Sequence, residues 1–107
     1  MRALALPILA IVVSLLAGSA SASSPAAWKA SEAQARRTCL ATSGLKMARA
    51  TAGVLFSDDV GRTALLVTGR WPQAHMKGRM GTMLCLFDRR TGKAEVSEAA
   101  GWSGPTR

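Results

Sequence analysis

A chain of 107 residues with two cysteines and one histidine has room for one small domain and lacks the ligands of a structural zinc site. Fourteen Lys and Arg against six Asp and Glu leave a formal charge of +8, which draws a protein to anionic surfaces without naming a specific partner. No Cys-x-x-Cys, no Gly-x-Ser-x-Gly elbow and no nucleotide loop occurs, so redox-motif, serine-hydrolase and nucleotide chemistry have no support.

Met1-Arg2 is followed by an apolar run from Ala3 to Ala17 and then Gly18-Ser19-Ala20-Ser21-Ala22. One positive charge, an apolar core and a small-residue exit make a cleavable secretory signal, with cleavage expected after Ala22. The run is too short for a membrane span, which needs roughly 20 apolar residues, and Pro7 interrupts it. Leu16-Ala17-Gly18-Ser19 resembles a bacterial lipobox in its first three positions, but the family requires Cys where this chain has Ser19. The expected product is an exported domain, periplasmic or secreted, of residues 23–107, with a core over about 25–98 and a tail over 99–107. Loss of Arg2 takes the charge from +8 to +7. No membrane span is expected after cleavage.

Ser24 is placed to cap a helix, and Pro25 suits its first position. From Ala26 to about Thr42 the residues are mostly good helix formers. Trp28, Ala35 and Cys39 fall near one face with Leu40 beside them, and Lys29, Glu32, Arg36 and Arg37 lie largely elsewhere. This predicts an amphipathic helix ended at Ser43-Gly44. Four strands are predicted after a short linker. They run from about Ala50 to Ser57, from Arg62 to Arg70, from about Arg79 to Phe87, and from Lys93 to Glu98. Asp58-Asp59-Val60-Gly61 turns the chain between the first two. Asp88-Arg89-Arg90-Thr91-Gly92 makes a hairpin turn with Gly92 in a left-handed position. The tail is expected to fray, with Trp102 able to fold back onto the body.

The predicted fold class is α+β, with one N-terminal helix packed on a four-stranded antiparallel meander. Cys39 would sit on the helix and Cys85 on the third strand. An even cysteine count behind an export signal reads as a disulfide. Such a bridge would stabilise by roughly 4 kcal/mol in the chain-entropy picture. It would also turn Met83, Cys85 and Phe87 toward the helix and Thr82, Leu84 and Leu86 away from it. That outer face is then apolar: covered by the tail, shared with a partner subunit, or exposed.

No catalytic residue, metal ligand or cofactor site is expected. His75 is the single histidine and has no carboxylate near it in sequence to orient it as a base. Asp58 and Asp59 serve a turn. The candidate binding residues are of two kinds. Arg70, Trp71, His75, Lys77 and Arg79 share one loop, and Arg89 and Arg90, with Lys93, form a second basic group at the opposite sheet end. Leu84 and Leu86 mark the apolar outer face. For the loop, a solvated rim with Trp71 covering the sheet end is the alternative.

The stretch Leu84-Cys85-Leu86-Phe87-Asp88-Arg89-Arg90-Thr91-Gly92-Lys93-Ala94-Glu95-Val96 resembles the C-terminal hairpin of small, uncharacterised exported bacterial proteins. The resemblance implies no activity. The order of helix and meander is similar to the cystatin-like arrangement of a helix across a curved sheet. The Gln-x-Val-x-Gly loop of the inhibitory family is missing, and its Pro-Trp pair stands reversed as Trp71-Pro72. The function expected is that of a non-enzymatic exported module that binds another protein, as an inhibitor or envelope accessory factor. The alternative is a basic module that holds anionic envelope polymers through Arg, Lys and Trp71. Export and the lack of a recognised motif argue against nucleic acid.

Overall fold

The computed structural model describes residues 24–106; the expected signal segment and its cleavage point lie outside them. The helix, α1, runs Pro25–Ser43. The Ser24 hydroxyl accepts the Ala27 N–H at 3.1 Å, which satisfies one of the free donors of the first turn. Gly44 closes it in the left-handed region at φ +67°. Five strands follow: β1 Lys46–Ala50, β2 Val54–Leu55, β3 Arg62–Arg70, β4 Met80–Asp88 and β5 Ala94–Glu98. They form one antiparallel sheet in the order β1-β3-β4-β5, with β2 beside β1 along the same edge of β3.

Two expectations need correction. The first predicted strand, about Ala50 to Ser57, is two short pieces, and its first piece starts four residues earlier, at Lys46. Pairing breaks at Thr51-Ala52-Gly53, where the Thr51 hydroxyl, rather than a backbone carbonyl, accepts the Leu66 N–H at 3.0 Å. The Gly53 backbone there presses on Thr63: a Cβ at Gly53 would lie 2.7 Å from its methyl group. The tail is the second correction. It does not fray away from the body. Ala99 is buried, its N–H reaches the Thr82 carbonyl, and Thr106 bridges to Thr51 on the far edge of the sheet. Crossing from β5 to β1 covers about 14 Å at strand spacing, within the reach of seven residue steps.

Burial alternates strictly along β3, so Thr63, Leu65, Val67 and Gly69 face the helix. Cys85 and Phe87 do the same from β4. Ala35 and Cys39 of α1 meet Leu45, Ala50, Leu65, Val67, Cys85 and Phe87 in a single core. The predicted bridge is present: Cys39 and Cys85 are bonded, with Cα atoms 5.9 Å apart and neither residue exposed. It joins the helix to the middle of a central strand.

Candidate functional site

The outer sheet face carries a cleft of about 490 Å³. Register explains its lining. Val54 pairs with Ala64, Ala64 with Leu86, and Leu66 with Leu84, so these side chains share the side away from α1. Phe56 extends the row beyond β2, and Trp102, Gly104 and Pro105 of the tail wall the opposite flank. Leu84 and Leu86 are half-buried, whereas Val54, Phe56 and Trp102 are exposed. Of the three conditions open to this face, covered, shared or exposed, the tail supplies a partial cover.

The loop residues separate by role. Trp71 is half-buried against the core. Its indole lies over Gly81, where an added Cβ would run into the ring at Nε1. It caps the sheet end. Arg70 is exposed and donates to the Gly78 carbonyl at 2.9 Å. His75 stands exposed on a short 3-10 helix, Ala74–Met76. Lys77 follows it in the left-handed region at φ +52°, and Arg79 is exposed.

The second basic group also divides. Arg90 and Lys93 are exposed. Arg89 turns inward, its side chain 11% exposed. Its guanidinium donates to the carbonyls of Arg62, Phe56 (2.8 Å) and Ser57, and to the Thr63 hydroxyl. It also lies 5.7 Å from the centre of the Trp28 ring and 3.6 Å from an Asp58 oxygen. Arg89 therefore ties the β2–β3 turn, the β4–β5 hairpin and the helix start together. Beside it, Asp88 accepts the N–H groups of Arg90 (2.8 Å) and Thr91 (3.3 Å) and pairs with Arg62 at 2.8 Å. The Arg90 N–H is the chief cause that holds the Asp88 carboxyl below the usual carboxylate range.

Sequence reasoning missed three residues. Lys46, Arg49 and Met47 lie on β1 and its bulge, at the same sheet end as Arg70. Among the described residues no three His, Cys, Asp or Glu side chains gather as a metal would need, and no helix is long and apolar enough to cross a membrane. The chain matches no family model, no curated protein and no solved structure.

Proposed function

We propose that this chain is an exported, non-enzymatic accessory module, and that an apolar segment of another protein seats in its outer cleft. The cleft itself carries the reading. Its exposed lining is almost entirely apolar, and one wall is already formed by a stretch of polypeptide, Trp102 to Pro105. A surface that accepts its own chain in this way offers the backbone and side-chain environment a second segment needs. Concave apolar surface of this size on a small domain marks an interaction site. The signal-like pattern of residues 1–22 and the bonded cysteine pair support export to an oxidising compartment.

The test uses Val54→Ser/Phe56→Ser, which changes only exposed lining residues, alongside the half-buried Leu84→Asp. Circular dichroism melts check that each variant folds. A photo-crosslinker at position 102 reports the partner from the native envelope fraction at low and high salt. Crosslinking to one protein, insensitive to salt and lost in the Val54/Phe56 variant, supports the proposal. Crosslinking that disappears with salt and ignores both cleft variants overturns it, because apolar contact is weakly screened whereas exposed charge contact is not.

A further inference from the structure

A different surface, independent of the cleft, has the composition of a membrane contact. At the end of the sheet where β3 meets β4, register sets Lys46 beside Arg70 and Arg70 beside Met80 on the outer face. One step along, Arg49 sits beside Thr68. Lys46 and Arg70 are like charges directly opposite each other across two strands, an arrangement that disfavours the sheet on its own account. Between Lys46 and Arg49 the first strand spends three residue steps against two on β3. The bulge holds Met47 at φ +53°, a conformation that a non-glycine side chain adopts at a cost. Its effect is to set the Met47 side chain outward, 82% exposed, over the hollow it shares with Arg49, Arg70 and Met80. Met80 is 58% exposed.

The acids lie elsewhere. Asp88 pairs with Arg62 eight residues down the strands from Arg70, roughly 26 Å away at strand rise. Asp58 and Asp59 are in the turn at that same far end. Glu98 is aligned with Met83, on the helix side of the sheet, and Glu95 on the outer face is aligned with Leu86, six residues down β4 from Met80. Neither ion pair found among the described residues involves a cation of the β1 end. Cations with no Asp or Glu beside them among the described residues, interleaved with two exposed, flexible, polarisable methionines, match the headgroup layer of an anionic bilayer. Phosphates answer the cations, and the boundary with the acyl chains answers the thioethers. A soluble anionic polymer answers only the charge.

We infer that the Lys46–Arg49–Arg70 end of the sheet, with Met47 and Met80, docks on an anionic phospholipid membrane. The outer cleft is separate from this contact.

The oxidised protein is floated with vesicles of phosphatidylcholine and with equimolar phosphatidylcholine and phosphatidylglycerol, and its binding to dextran sulfate is measured in parallel. Binding to the anionic vesicles alone is expected. Lys46→Gln/Arg49→Gln lowers that partition about thirtyfold, at roughly fivefold for each charge near the surface. Arg90→Gln/Lys93→Gln removes the same net charge at the other end, beyond the ~8–10 Å screening length, and leaves partition nearly unchanged. Met47→Ser/Met80→Ser lowers vesicle binding by about tenfold and leaves dextran sulfate binding as it was. Three results would overturn the inference. They are no anionic-vesicle binding, equal loss in the two charge variants, or a methionine variant that binds vesicles like the parent. The last would make the surface a polymer site. Val54→Ser/Phe56→Ser should not alter any of these readings, which keeps this result separate from the cleft's.

Discussion

Replacing both bridging cysteines by alanine is the most informative perturbation of the fold. The bond closes a loop between positions 46 apart, and the chain-entropy relation assigns such a closure about 4 kcal/mol of stabilisation. Both residues are fully buried, so removing the sulfurs adds a packing loss of about 1 kcal/mol. Against a total of roughly 5–10 kcal/mol for a domain of this size, the double variant keeps half its stability or less. With a urea dependence of about 1 kcal/mol per molar, the unfolding midpoint falls by about 5 M or the protein unfolds outright. The urea dependence itself also steepens, because an uncrosslinked unfolded chain exposes more surface. Chemical denaturation followed by tryptophan fluorescence and circular dichroism measures both quantities. If oxidised protein and double variant unfold within about 1 kcal/mol of each other with equal slopes, the bridge does not constrain the unfolded chain and the reasoning fails.

Arg89→Ala should destabilise by about 2–3 kcal/mol, since it leaves several carbonyls without their charged donor. Arg89→Lys should recover little, because one ammonium cannot span the same carbonyls; a full rescue in thermal melts would sink this view. Gly69→Ala should cost about 1–3 kcal/mol, as its Cβ would meet the Lys46 carbonyl oxygen and the Leu45 Cβ, each at 2.8 Å; an unchanged melting temperature would count against the close approach. Asp88 has a depressed folded pKa, so its stabilising contribution is present above the ordinary carboxylate value near 4 and fades as pH falls through the lower folded value. Asp88→Asn should therefore flatten the acid limb of a stability-versus-pH profile and leave its shape above pH ~5 unaltered; an identical acid limb in the variant would refute the assignment.

The elements with strong local signals were legible from residues alone. Ser24-Pro25 and Gly44 bracket the helix, the apolar run Leu65-Leu66-Val67 marks β3, and Asp88 to Gly92 marks the hairpin. Cys39 and Cys85 also mark the inner face of the sheet. β1 was not legible. Lys-Met-Ala-Arg-Ala has neither β-branched residues nor an apolar alternation, and it is a strand because β3 offers it an edge and Gly69 lets its bulge approach. The break at Thr51 is a side-chain substitution for a backbone partner, which no periodicity reveals. Arg89 looked like a free surface cation because its acceptors, Phe56, Ser57 and Arg62, are distant in sequence. The path of the tail had one local hint, Trp102, and is otherwise set by the bridge from Thr106 to Thr51.

The sulfur bridge also divides the molecule mechanically. It makes a closed covalent ring from Cys39 to Cys85 that contains β1, β2, β3 and most of β4. Tension applied at the two ends passes along the helix to Cys39, across the sulfurs, and out through the chain beyond Cys85. The ring bears none of it and cannot lengthen. β5 and the tail hang outside the ring, where they can be peeled away while β3 and the first part of β4 stay paired. The border runs through the cleft, with Leu84 within the ring and Leu86 beyond it. One wall of the cleft is held at fixed length by covalent bonds, and the other is a flap that yields under load.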